Sequence, residues 1–493
     1  MTMNDGKNGF FSALWKRPAL ALLIFMTAAA LAWTLQCSLL QNILGLDILE
    51  TIAWGAEGTL GHSKHPPLSG WLGWFFSALS GHADWSMYLA AQCCLMFGAW
   101  QVFRLAKLFL DEYSAAAAAL LLFFLFYYNP SETKFSTYFV EIALAPAAAY
   151  YFFSALRDRR TGHWLLFGAI CGLGLLNKYT FLLHLTGFLT VFLLRREYRR
   201  QFFTKGPWLA AATGFLVFLP HLVWLARNDF VCLLHVEHRV EDESTPFLPL
   251  VVLGAALYPF AVQGIALVLS LFPRFRERVR KTINKKLLAT ALILTLIPSA
   301  LFFLIALSGN GVILMWFCTF ASWTGIAAVA AFPFVIDRTV FKHLYLLLTL
   351  LTLGLFIGTT ADLLFSTRIR IHAKPEAIVN PAYEFWKRHS AEPIPVVVGD
   401  RWYACVVENY SPARPPMCEA NDPFYLKLYQ KTIHEKGALL IAHREKLFDN
   451  FRKQCRIPLK FQRIKLTFQA PFGKKKTREF LVEYLPPGNF PAE

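Results

Sequence analysis

Between Asp47 and Trp71 the chain gathers Asp47, Glu50, Glu57, Lys64 and His65 among apolar and aromatic neighbours, directly after its first long apolar run. Asp47 precedes Glu50 by three positions, so a short helix leaving that run would carry both carboxylates on one face. A carboxylate so placed can act as general base toward a hydroxyl, or as a ligand for a divalent metal opposite a phosphate. Lys64 and His65 abut a Pro66-Pro67 turn, where cations can hold a phosphate that departs with negative charge. Glu141 opens a later apolar segment, from which it would face Asp47, and Lys178 follows Asn177 between two apolar runs. Each has a plainer explanation. Asp47 and Glu141 suit the first turn of a helix, where the macrodipole favours an acid, and Lys178 suits a helix end from which it snorkels. His65 would then merely pack against the turn, and Glu50 would be solvated. Ionisable groups beside a bilayer are nevertheless costly enough to be read first as functional.

The elements that must position these groups are membrane spans. Of 493 residues 56% are hydrophobic and 16% charged, and the apolar residues fall in long runs separated by short basic clusters. Crossing the hydrocarbon takes about 20 mostly apolar residues. The spacing predicts eleven spans, within a range of nine to thirteen, near 19–38, 84–103, 114–128, 142–156, 164–176, 179–194, 207–226, 247–272, 287–307, 315–336 and 343–365. No small-residue cleavage site follows the first run, so it is expected to remain as a span. With the N-terminus in the cytoplasm, the inward-facing segments hold 22 Lys and Arg and the alternate loops only 5. That asymmetry places the Asp47 loop outside the cytoplasm. Trp54, Trp71 and Trp74 fit an interfacial aromatic belt there, with sugar stacking the rarer use.

After about residue 365 the composition changes. Residues 366–493 carry prolines, a strand-like Val396-Val397-Val398 run and dispersed charge, 22 basic and 13 acidic. The expectation is an all-α polytopic domain over 1–365 and a soluble α/β domain over 366–493 on the same outer side. Its basic excess, Lys474-Lys475-Lys476 included, suits anionic lipid head groups or a simple solvated surface. The formal charge of +17 is distributed as membrane flanks rather than as a nucleic-acid footprint. The nine cysteines show no zinc spacing. Cys405 and Cys418 would face an oxidising compartment, where a disulfide and two separate thiols are both open.

No phosphate-binding loop, Ser-His-Asp signature or HExxH motif is visible. Without an ATP site, an external acidic centre draws on a gradient or on an activated substrate. A secondary transporter or flippase would be expected to show broken or charged mid-spans and paired halves. Here the charges lie at span ends and no internal repeat is seen. A nonenzymatic envelope scaffold would not need the ordered acids.

In order, Asp47, His65-Pro66-Pro67-Leu68 about nineteen positions on, and Glu141 opening the fourth span resemble a known group. It is the polyprenyl-phosphate-sugar-dependent GT-C glycosyltransferases of the dolichyl-phosphate-mannose mannosyltransferase type, which includes bacterial aminoarabinose and galacturonic acid transferases acting on lipid A and lipopolysaccharide. Leu176-Asn177-Lys178-Tyr179-Thr180 is similar to the family's Ser-Lys-Tyr-Thr stretch, and Arg227-Asn228-Asp229 with Glu237-His238-Arg239 to its later external loop. The resemblance covers about residues 20 to 365. It implies a GT-C fold in the bacterial inner membrane and inverting sugar transfer from an undecaprenyl phosphate carrier to a lipid A, lipopolysaccharide or other envelope acceptor on the periplasmic face. It further implies Asp47 and Glu141 as catalytic acids, and as ligands should a divalent metal be used; Glu50, on the same helix face as Asp47, is the weaker catalytic candidate. Lys64, His65, Lys178, His238 and Arg239 would contact the carrier phosphate. The chain departs from the pattern at Asp47-Ile48, where the family has Asp-Glu, at Glu141, where Asp is usual, and at Met315-Trp316, which lacks the usual basic neighbour.

Overall fold

The computed structural model describes residues 13–129, 134–234, 248–272, 275–308 and 317–492. In chain order its principal elements are α1 (Pro18–Leu40), α2 (Leu46–Ala56), α3 (Leu68–Leu79), α4 (Trp85–Lys107), α5 (Glu112–Leu122), α6 (Thr137–Asp158), α7 (Thr161–Asn177), α8 (Phe181–Leu194), α9 (Lys205–Arg227), α10 (Leu248–Leu269), α11 (Lys285–Ser308), α12 (Thr324–Ala331) and α13 (Arg338–Phe365). There follow α14 (Glu376–Lys387), β1 (Val397–Gly399), α15 (Arg401–Tyr410), β2 (Met417–Glu419), α16 (Pro423–Lys436), β3 (Ala438–Ala442), β4 (Gln462–Phe468) and β5 (Lys476–Leu485).

Helix dominates the apolar runs because a chain in lipid must satisfy its backbone polar groups internally. Among the described residues seven helices, α1, α4, α6, α9, α10, α11 and α13, are long and apolar enough to cross a membrane. The chain is a multi-pass membrane protein. The other four expected spans, 114–128, 164–176, 179–194 and 315–336, correspond to the shorter helices α5, α7, α8 and a final piece ending at Ala331. At about 1.5 Å per residue, α5 rises roughly 16 Å, about half the hydrocarbon thickness. It stops because the backbone turns tightly after Leu122, with 3.0 and 2.9 Å bonds from Phe123 N–H to the Leu120 carbonyl and from Leu125 N–H to the Leu122 carbonyl.

Two compact units divide the chain: Met1–Trp33, Ala91–Thr133 and Thr137–Ile357 form the first, and Thr34–Ala90, Lys134–Ser136 and Gly358–Glu493 the second. In the first, α7 packs against both α6 and α9, while α11 lies against α8 and α12. In the second, residues 34–90 are packed with the tail. Its five-stranded sheet has the order β2-β1-β3-β5-β4, with β1 parallel to β2 and β3, and β5 antiparallel to β3 and β4. The parallel strands are joined by α15 and α16 as crossover helices, and β1 and β3 are fully buried, as their unbroken apolar sequences require.

One glycine contact fixes the approach of the two helices that flank the loop carrying Lys64. A Cβ at Gly55 would sit 2.0 Å from the Gly70 carbonyl oxygen, so α2 and α3 approach closely only because both positions lack a side chain. At the end of β1, a Cβ at Gly399 would fall 1.7 Å from the Ile441 carbonyl oxygen. Immediately after it Asp400 caps α15, accepting from Trp402 N–H at 3.0 Å and from Tyr403 N–H at 3.4 Å. That cap sets Arg401 as the first residue of α15, which packs on α2.

Candidate functional site

Within the second unit four charged side chains close a ring. Lys64 Nζ donates to Glu50 Oε1 at 2.5 Å and to Glu419 Oε2 at 2.9 Å. Arg401 Nη1 donates to the same Glu50 oxygen at 3.1 Å, and its Nε lies 3.2 Å from Glu419 Oε1. Each carboxylate is shared by both cations, and the ring sums to zero. Burial alone would raise the Glu50 carboxyl, but Lys64 and Arg401 outweigh it and hold the group at about 2. Burial likewise opposes the charge on Lys64, and Glu50 and Glu419 nonetheless keep its pKa above the usual lysine value. Removing one member of such a buried set strands its partners, which costs about 3–5 kcal/mol.

Asp47 stands in the first turn of α2 and is exposed, whereas Glu50 is buried. Of the two acids expected on one face, Glu50 is therefore engaged by the ring while Asp47 lies outside it at the exposed start of α2. His65 is half-buried, edge-on to Trp54 at 5.5 Å, and His62 stacks on the same indole at 5.2 Å.

A second acidic pair lies in the same unit. Burial, then the neighbouring Glu408, pushes Glu57 up to about 9, and burial raises Glu408 to about 8. Both are neutral acids near pH 7. An unfolded glutamic acid gives up its proton near 4.5. From there upward the folded protein holds protons the unfolded chain has lost, so stability falls as pH rises, until the folded-state values are passed. Glu57→Gln removes one such group, so its Tm in detergent should decline less than that of the parent between about pH 5 and about pH 8. An identical slope would show that Glu57 titrates normally.

In the first unit Glu141 is 1% exposed on α6. The Thr180 hydroxyl donates toward both its oxygens, at 3.0 and 2.9 Å, and His184 Nε2 on α8 is 3.4 Å from Oε1. Asn177 Nδ2 donates to the Thr137 carbonyl at 2.8 Å, tying the end of α7 to the start of α6. Lys178, at that helix end and 8% exposed, lies over the Tyr138 ring at 3.8 Å. Next to it Tyr179 OH is 2.7 Å from Nε2 of His221, a buried side chain stacked on Trp224. The short stretch from Asn177 to Thr180 thus presents a cation and a hydroxyl toward the buried Glu141 carboxylate and a phenol toward His221.

His238, Arg239 and Met315-Trp316 lie outside the described residues. Among the described residues no group of three or more His, Cys, Asp or Glu side chains is placed to hold a metal ion. Cys405 and Cys418 are free, buried thiols on α15 and β2, so of the two states open to them the structure has the separate one.

Residues 64–224 match the family model described as dolichyl-phosphate-mannose-protein mannosyltransferase. No curated protein matches the chain. Two crystal structures of ArnT from Cupriavidus metallidurans share its fold at 12% identity. The one bound to undecaprenyl phosphate has a TM-score of 0.61 over 93% of this chain and 97% of its own. The apo form has a TM-score of 0.60 over 94% and 98%. The chain therefore shares the ArnT fold, and its residues 64–224 are similar to the mannosyltransferase family model.

The family match begins at Lys64 and takes in Glu141, Lys178 and Thr180, whereas Asp47 and the tail lie outside it. Arg401, Glu419 and His184 were not found by sequence reasoning. Arg401 and Glu419 stand 351 and 355 positions from their partners, and no local pattern marks them. His184 had a weak signal, as a lone imidazole inside the apolar run 179–194.

Proposed function

We propose that this protein is a GT-C glycosyltransferase that transfers a sugar from a polyprenyl phosphate carrier, undecaprenyl phosphate in a bacterial inner membrane, to a hydroxyl or phosphate of an envelope lipid or glycan on the periplasmic face. The observation that carries the proposal is the buried Lys64 between two carboxylates, in the same compact unit as the exposed Asp47 and on a fold shared with a protein crystallised with undecaprenyl phosphate. Asp47 takes the proton from the acceptor as its oxygen attacks the anomeric carbon from the face opposite the carrier. The bond from that carbon to the phosphate oxygen breaks, and its electron pair leaves on the carrier phosphate. Lys64 and His65 meet the growing negative charge. Glu141, anchored by Thr180, is the second catalytic acid, and Lys178 a further phosphate contact.

Mass spectrometry of envelope lipids and glycans, with and without the protein, tests this reading. A hexose, hexuronic acid, pentosamine or hexosamine difference names the sugar, and identical spectra would remove the proposal. The outward placement of the tail is tested separately. Alkaline phosphatase fused after residue 370 should be active, and an inactive fusion would reverse the orientation.

A further inference from the structure

The ring of Glu50, Lys64, Arg401 and Glu419 lies wholly within the second compact unit. Its connectivity has an unusual consequence for an arriving anion. A lysine has three N–H donors, and Glu50 and Glu419 take two of those on Lys64. When the ammonium turns toward a phosphate, a released carboxylate would ordinarily be stranded as a buried, unpaired charge, which is strongly unfavourable. Here either carboxylate that Lys64 leaves still holds Arg401, at 3.1 Å for Glu50 and 3.2 Å for Glu419. The arginine side chain is 35% exposed, against 10% for Lys64 and 8% for Glu50, so the ring opens to solvent on the arginine side.

We propose that Arg401 and Glu419 are positioning residues of the C-terminal region that set how tightly Lys64 receives the carrier phosphate, through the net charge they give the ring. The inference rests on the assignment of Lys64 to that phosphate. It makes the tail part of the donor site rather than an appendage. Arg401 and Glu419 touch no reacting atom in this account. They determine whether the ring around Lys64 is neutral, negative or positive when the anion arrives.

The sign of the effect separates this role from simple bracing. Arg401→Gln leaves two carboxylates on one ammonium, a ring of net charge −1 that grips Lys64 and repels the phosphate. Glu419→Gln leaves a ring of net charge +1 and frees Lys64 from one anchor. A brace would weaken in the same direction with either change. The charge ring requires opposite directions, with the double variant returning toward the parent because neutrality is restored.

The test is binding of undecaprenyl phosphate to the full-length protein in detergent, titrated by native mass spectrometry. Arg401→Gln should raise the Kd about tenfold and Glu419→Gln lower it about tenfold, the scale of one uncompensated charge at a half-buried site. Arg401→Lys should stay near the parent, since it keeps the charge. Shifts of the same sign, or no shift, in the two glutamine variants would overturn the proposal. If Arg401→Gln fails to fold, Glu419→Gln decides alone, because a Kd unchanged or raised contradicts the ring. Lys64→Gln separates the two levels of the argument. Unchanged binding there removes the assignment of Lys64 itself, whereas weakened binding without opposite shifts at 401 and 419 removes only the role of the tail.

Discussion

Asp47→Asn is expected to lower the rate of sugar transfer by about 10²- to 10⁴-fold, the range that a positioned proton acceptor contributes. The substitution keeps size and shape, and asparagine is acceptable at a helix start, so α2 should form as before. Asp47 is exposed and outside the ring formed by Glu50, Lys64, Arg401 and Glu419, so the ring keeps all four of its charges. Membrane insertion and Tm should therefore match the parent while turnover collapses. The measurement is initial rate with the donor identified by the mass difference, alongside a melting curve in the same detergent. Near-normal transfer would sink the assignment of the base. A parallel loss of Tm would instead mark Asp47 as structural.

Glu141→Gln should cut turnover at least about 100-fold. Here the physical situation differs from that at Asp47, because Glu141 is buried and its surroundings are built to hold it. The Thr180 hydroxyl spans both carboxylate oxygens and His184 stands at 3.4 Å, so the group cannot rotate freely. Glutamine keeps one acceptor for Thr180 and fills the same volume, but it brings no charge to His184 or to a substrate. Turnover should fall with little change in the apparent affinity for the carrier, since an interaction made in the transition state lowers kcat rather than raising KM. Full activity in Glu141→Gln would leave the residue as a buried acid near a helix start, stabilised by the macrodipole and nothing more.

Much of the fold was legible because its signals are local. A long apolar run reports a helix in lipid regardless of what lies elsewhere, and α1, α4, α6, α9, α10, α11 and α13 follow from it. The Val396-Val397-Val398 run likewise announced β1. Hydropathy could not distinguish a full crossing from a shorter apolar helix such as α5, because the alanine-leucine run up to Leu122 and the Phe123-Phe124-Leu125-Phe126 stretch after the turn are both apolar. The partnership of residues 34–90 with the tail also left no local trace.

The sequence by itself determined which residue types stand near the membrane surface: Asp47, Glu50, Lys64 and His65 in one loop, Glu141 and Lys178 at the ends of apolar runs. Spacing alone made Asp47 and Glu50 look equivalent. Tertiary structure decided that Glu50 is buried and paired with Lys64 and Arg401 while Asp47 is exposed, and that Lys64 is held by Glu419 from a strand 355 positions away. The reason is physical. Charge and polarity belong to a residue, but burial and the partners that neutralise it belong to the packing, and only packing brings Arg401 and Glu419 to that loop.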